Sequence, residues 1–316
     1  MGARSSHSWD QRAEEPEGTL LASIPPPGGI APPSMASQEA DALGLESQEL
    51  FFDDDEPTGP VPKILVRAVG RTHPGRKREH NEDALLVAPE HELYVIADGM
   101  GGYAAGEVAS QLAVETLAEA FSAGEWGEVE EGFPRRGAEL VAAIRLANGR
   151  IRDEARRDSR RSGMGTTVVA ARFSPGKNRV YVAHVGDSRC YRLRDGELTQ
   201  LTADHTLGSL GIVGPTAAKL SRAVGAFETV EVELTIDEPR IGDCYVLCSD
   251  GLYKMVSEEI LRETIEGSES LEEAADALVR AANERGGRDN VSVVLTRVDD
   301  PDVDLRQSGE HLISGG

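Results

Sequence analysis

The sequence predicts an α+β layered sandwich, because strands and helices arrive in runs and not in strict βαβα alternation. Three short β-rich stretches come first, then two long amphipathic patterns, then four more β-like stretches joined by Pro-Gly and Asp-Gly turns. At 316 residues the chain is long enough for a sizeable buried core.

Residues 1–60 hold 12 acidic and 2 basic side chains, together with PPPGG, a second Pro-Pro pair and DDDEP. Such a composition buries too little apolar surface to offset chain entropy, so this segment is expected to be disordered. Leu45, Leu50, Phe51 and Phe52 stand among acids there and suggest at most a docking motif. Ordered structure is expected over residues 61–298, and residues 299–316 read as a flexible acidic tail.

The domain opens with KILVRAVGR, ALLVAP and HELYVIAD, three strand-like runs broken by Pro, Gly or charge. Residues 106–124 place Val108, Leu112, Leu117 and Phe121 at helical spacing, and residues 135–157 repeat the pattern with Leu140, Ile144, Ala147 and Ile151. GTTVVAARF, RVYVAHV, SRCYRLR and ELTQLT follow as strands, and Asp195-Gly196 between the last two predicts a type I′ hairpin turn. Thr206 to Gly225 reads as flexible; TVEVELTI, the apolar DCYVLCSDG, a helix over SLEEAADALVRAANERGG and a final strand NVSVVLTRV complete the domain.

The net charge of −22 argues against a nucleic-acid partner, since a phosphate backbone is bound by lysine and arginine. No apolar run approaches the roughly 20 residues needed to span a bilayer, so no membrane partner is expected. Cys190, Cys244 and Cys248 form no zinc pattern with histidine, and their odd number suits reduced thiols in a cytoplasmic protein. Cys244 and Cys248, four apart on a strand, should share one face and be buried as small hydrophobes.

The chemistry is carried by acids at strand ends. Asn81-Glu82-Asp83, Ala97-Asp98-Gly99, Ser249-Asp250-Gly251 and Asp289-Asn290 each put a carboxylate beside Gly or Asn at the edge of an apolar run. One such site is ordinary turn chemistry. VIADG and VLCSDG together aim two carboxylates from buried strands, which repel unless a cation lies between them. An oxygen-only ligand set without Cys or His points to Mg²⁺ or Mn²⁺ over zinc.

Six motifs then recur in order: RxxNED from Arg78, ADGMGGxxxGExAS from Ala97, GTT at 165–167, GDSR from Gly186, SDG at 249–251 and GGxDN ending at Asn290. Together they resemble the bacterial-type protein phosphatase 2C family, the metal-dependent serine/threonine phosphatases, over about residues 65–298. The resemblance implies a four-layer αββα sandwich, two antiparallel sheets face to face with a pair of helices outside each, and a metal centre at one end. It implies that Asp98 bridges two metals, that the Gly99 carbonyl joins one, and that Asp250 and Asp289 complete the other. Asp83, with Glu82, would act through waters on the metals; Asp187 would hold a third, weaker ion; Arg78 would bind the substrate phosphate, for which a guanidinium fork is suited.

Two cations held in this way lower the pKa of a shared water and aim it in line at phosphorus. Relatives with DGHGG carry a histidine after the Asp-Gly. Met100 stands there in this chain and leaves the general acid to a water. Phosphorylated proteins, among them serine/threonine kinases and their targets, are the implied partners, and a monomer is expected. The rival readings are a two-metal phosphoesterase acting on small molecules and a regulatory module that keeps the fold without catalysis. His184 and His205 read as structural, the arginines from Arg150 to Arg161 as a solvated helix face, and Thr206 to Gly225 as a shortened version of the family's flap.

Overall fold

The computed structural model describes residues 63–101, 105–129 and 132–302. Expectations for residues 1–60 and for those after 302 lie outside the described residues.

Eleven strands form two sheets among the described residues. The first runs β1 (Leu65–His73), β11 (Val291–Asp299), β10 (Cys244–Cys248), β7 (Arg189–Arg194) and β8 (Glu197–Gln200). The second runs β2 (Asp83–Ala88), β3 (Leu93–Met100), β5 (Val168–Ser174), β6 (Arg179–Val185) and β9 (Glu233–Asp237), with the short β4 (Gly165–Thr166) on the end of β3. Every pairing is antiparallel. Helices α1 (Ala105–Ala123) and α2 (Arg135–Arg157) cover the second sheet. The one-turn α3 (Asp250–Tyr253), α4 (Glu258–Gly267) and α5 (Leu271–Glu284) lie on the first. This is the αββα sandwich that the motifs implied.

Strand periodicity builds the layers. Side chains alternate across a strand, so β3 sends Leu93, Val95 and Ala97 toward α1 and α2, and Tyr94 and Ile96 into the space between the sheets. β10 does the same from the other sheet: Cys244, Val246 and Cys248 meet α4 and α5, while Tyr245 and Leu247 face inward. Both faces of the central strands are therefore buried, and their sequences are continuous apolar runs in spite of the antiparallel pairing. Phe173 joins the sheets, edge-on to Tyr94 at 5.8 Å and to Tyr245 at 5.3 Å between ring centroids. Cys244 and Cys248 share one buried face, as their spacing predicts.

The Asp195-Gly196 turn has φ of 50° and 78°, the two positive values a type I′ hairpin needs. Two elements differ from expectation. Sequence patterning did not resolve α4, a ten-residue helix burying only Leu261 and Ile265, which begins where Ser257 Oγ accepts the Ile260 N–H. The segment 206–225 is a folded-back loop pinned to itself, with Leu207 N donating to Lys219 O at 2.8 Å and Gly208 N to Ala217 O at 2.7 Å.

Candidate metal centre

The carboxylates converge at one end of the sandwich because both sheets deliver strand ends there. In the β2–β3 ladder Asp83 sits directly opposite Asp98. From the facing sheet, β10 ends at Cys248 and hands over through Ser249 to Asp250, the first residue of α3, while Asp289 precedes β11. Asp187 lies in the turn between β6 and β7. Arg78, Glu82, Asp98, Gly99, Met100, Asp187, Asp250 and Asp289 line one cleft of about 290 Å³, which Ala218 and Leu220 of the 206–225 loop border.

Close backbone approach fixes this end. A Cβ on Gly99 would lie 2.1 Å from the Gly106 carbonyl oxygen, and one on Gly251 would lie 1.9 Å from that of Asn290, so neither position admits a side chain. The GTT motif holds the backbone of Asp98: Thr167 N and Thr166 Oγ1 donate to its carbonyl at 2.8 and 2.9 Å, and its own N–H donates to Thr167 Oγ1 at 3.1 Å. Thr167 Oγ1 is also 2.7 Å from Ser188 Oγ, which ties GTT to GDSR.

Of the eight residues singled out from sequence, Asp83 is placed differently from the others. It lies beneath the cleft, 8 % exposed, where its Oδ2 accepts from Ser249 Oγ at 2.8 Å and Ser292 Oγ at 2.7 Å, while its Oδ1 has no partner. Burial, opposed by those hydroxyls and reinforced by the charges of Asp250 and Asp289, pushes its carboxyl up to about 7. Asp98 keeps a partial opening to the cleft but lies deep enough that desolvation, followed by repulsion from Asp83, Asp250, Asp187 and Asp289, holds it well above the usual carboxylate range. Burial and Asp250 likewise raise Asp187.

Arg78 and Lys254 are the cationic side chains among the described lining residues. Arg78 Nη2 donates to Asp289 Oδ2 at 2.9 Å, and its Nη1 is 3.6 Å from Glu82 Oε2. Lys254 lies across the cleft beside Asp250 and Asp187. Six carboxylates against two cations, one of them with an orphaned buried oxygen, fit divalent cations held by oxygen donors. Asp98, Asp250, Asp289 and the Gly99 carbonyl would hold such ions, with Glu82 and Asp83 behind them and Asp187 at the corner shared with Lys254.

Sequence reading missed Asn290 as more than a neighbour of Asp289. Its amide clamps the loop carrying Arg78 and Glu82: Nδ2 donates to Pro74 O at 3.0 Å and His80 O at 2.8 Å, and Oδ1 accepts the Glu82 N–H at 2.8 Å. It also missed Ser249, Ser292 and Lys254, whose partners are distant in sequence or one turn away. His184 and His205 stand outside the cleft. The His184 and His205 rings stack at 4.6 Å; His184 Nε2 donates to Ala203 O at 2.8 Å, and His205 accepts the Gly186 N–H at Nδ1 (3.2 Å), leaving Nε2 to donate to Glu233 at 3.1 Å. Arg150, Arg156, Arg160 and Arg161 pair with Glu119, Asp153, Asp158 and Glu154 in a solvated face.

The protein phosphatase 2C family profile matches residues 69–295. A serine/threonine protein phosphatase of Mycobacterium tuberculosis, PstP, is 40 % identical over 255 residues, which are 77 % of this chain and 47 % of that protein. The chain thus spans about half the length of that relative. A serine/threonine phosphatase of Listeria monocytogenes is 37 % identical over 77 % of this chain and 98 % of its own. Among solved structures, the catalytic domain of PstP in complex with two manganese ions is 40 % identical, covers 75 % of this chain and all of that one, and superposes with a TM-score of 0.65. PppA of Pseudomonas aeruginosa, a regulatory component of its type VI secretion system, gives the same TM-score at 34 % identity, over 74 % of this chain and 98 % of its own. With the family profile matching residues 69–295 and relatives of 37–40 % identity covered over three quarters of its length, the chain belongs to the protein phosphatase 2C family.

Proposed function

We propose that this chain hydrolyses phosphoserine and phosphothreonine in proteins, with two Mn²⁺ or Mg²⁺ ions in the acidic cleft. The observation that carries this reading is the charge imbalance there, with Arg78 at the rim 46 % exposed and paired with Asp289 and Glu82 beside the space a phosphoryl group would enter. When bound, the cations supply the charge that makes a water nucleophilic near neutral pH and offsets the negative phosphoryl group. The chain's own residues do the rest. Arg78 offers a planar fork to the phosphoryl oxygens, Asn290 fixes the loop that carries it, and the GTT hydroxyls and amides keep Asp98 in place. No histidine lines the cleft among the described residues, so the leaving serine or threonine oxygen takes its proton from water.

Phosphorylated proteins are the substrate class, and serine/threonine kinases and their targets fit it best. Ala218 and Leu220 of the folded-back 206–225 loop border the cleft, apolar side chains that a peptide substrate would meet on its way to the acids. We place the protein in the cytoplasm as a monomer. The buried, unpaired thiols of Cys190, Cys244 and Cys248 support that compartment, and no described helix is long and apolar enough to cross a membrane. Turnover of a phosphothreonine peptide with Mn²⁺, lost on chelation and restored by adding the ion back, is the expected result. Turnover of p-nitrophenyl phosphate without any of the peptide would favour the small-molecule reading, and no turnover of either would favour a regulatory module.

A further inference from the structure

The two cations of the cleft divide its acids between them. Arg78 takes Asp289 and Glu82. Lys254 takes the opposite corner, with Nζ 2.5 Å from Asp250 Oδ2 and 3.8 Å from Asp187 Oδ2. Asp187 Oδ2 also accepts from the Tyr253 hydroxyl at 3.3 Å, so a single turn of chain closes around that carboxylate. Local geometry explains the closure. Asp250 and Lys254 stand at i and i+4 across α3, the spacing and order that bring an acid and a following base together. Beneath them the Arg189 guanidinium lies 3.7 Å over the Tyr253 ring while it grips Asp204 through two bonds of 2.9 and 2.7 Å, which fixes the turn.

An ammonium so placed competes with any divalent ion for the same oxygens. It is tethered, hence present at high effective concentration, and it repels a second cation a few ångströms away. Asp187 is one of the more buried acids of the cleft, 7 % exposed, and its other near neighbour is a hydroxyl. We infer that Lys254 is a built-in monovalent occupant of the Asp187–Asp250 corner, which excludes a further divalent ion there and limits the centre to the ions held on the Asp98 and Asp289 side. The inference rests on the metal-dependent reading above. It runs against the third, weaker ion that the family resemblance implied for Asp187.

The test is Mn²⁺ binding, measured by equilibrium dialysis on the metal-stripped full chain, with circular dichroism melting to show that each variant folds. Wild type should bind two equivalents. Lys254→Met should bind one more, with a dissociation constant about tenfold or more below any further binding by wild type. Lys254→Arg, which keeps the charge, should not gain it, and adding Asp187→Asn to Lys254→Met should remove it again. The acidic termini are common to all four proteins and cancel in the comparison. The same number and affinity in wild type and Lys254→Met would overturn the inference while leaving the two-ion centre standing. A wild type that binds no Mn²⁺ would overturn the centre itself.

Discussion

Two regions of this molecule bury aspartates, and they treat them in opposite ways. Along β7, three arginines meet three aspartates one to one: Arg189 with Asp204, Arg192 with Asp237 at 2.8 Å, and Arg194 with Asp243 through bonds of 2.8 and 2.6 Å. At the cleft, Glu82, Asp83, Asp98, Asp187, Asp250 and Asp289 share Arg78 and Lys254. Depth does not separate the regions, since Asp243 is 1 % exposed and Asp83 8 %. Compensation does. A buried carboxylate with its own guanidinium is a structural tie, whereas a group of carboxylates short of positive charge is held in readiness for cations that the chain does not supply.

The largest effect that tests this contrast is on turnover. Asp98→Asn removes a charge from the under-compensated end, so kcat on a phosphopeptide with saturating Mn²⁺ should fall by about a thousandfold or more, while the metal-free protein melts no lower than wild type. Retained turnover would break the contrast from the functional side, and collapse of the fold would break it from the structural side. Asp243→Asn should do the reverse. It leaves Arg194 without its charge partner and weakens the acceptor for the Arg240 N–H at 2.7 Å, so urea unfolding should show a loss of about 3–5 kcal/mol. The folded fraction should keep wild-type kcat.

Arg78→Ala is expected to cost less, about 1.5–3 kcal/mol in kcat/KM, the range for a hydrogen bond to a charged group. Its guanidinium belongs to the cleft but touches only Asp289 and Glu82 at the rim. If it anchors non-reacting phosphoryl oxygens, KM rises more than kcat falls. If it only neutralises acids, the Mn²⁺ dependence shifts and KM at saturating metal stays put. Titrating metal and peptide independently separates these.

Most of the fold and the acids of the cleft were legible in the sequence because they are local: a strand pattern, a Gly beside an Asp, a spacing. VIADG reads as a buried strand ending in a carboxylate whatever surrounds it. What escaped is relational. Asp83 depends on Ser249 and Ser292, 166 and 209 positions away, and nothing in NED announces hydroxyls beneath it. Asn290 looked like a turn residue and is a three-point clamp on a loop more than 200 positions earlier. Lys254 carried no signal in the sequence, since only the fold brings Asp187 to its other side. The same limit hid α4, whose two buried side chains are too few to mark a helical period in a ten-residue stretch of which half is charged.

The smallest expected effect is a slope in pH, and its sign sharpens the contrast further. Asp83 is raised from 3.8 to about 7 in the folded, metal-free protein by burial first and by neighbouring charge after. Between those values the native state holds a proton that the unfolded chain has released. Unfolding free energy therefore falls as pH rises, by at most about 1.4 kcal/mol per pH unit for this one group. The stabilising contribution is complete below pH 3.8 and gone once pH has risen through 7. Urea unfolding in chelator between pH 5 and 8, wild type against Asp83→Asn, isolates the term: wild type should lose stability relative to the variant as pH rises. Saturating Mn²⁺ should flatten or reverse the difference, because cations favour the ionised cluster. A wild type that gains stability over Asp83→Asn with rising pH in chelator would mean that Asp83 is already compensated, as the aspartates of the β7 ladder are, and that the cleft does not lack positive charge at its base.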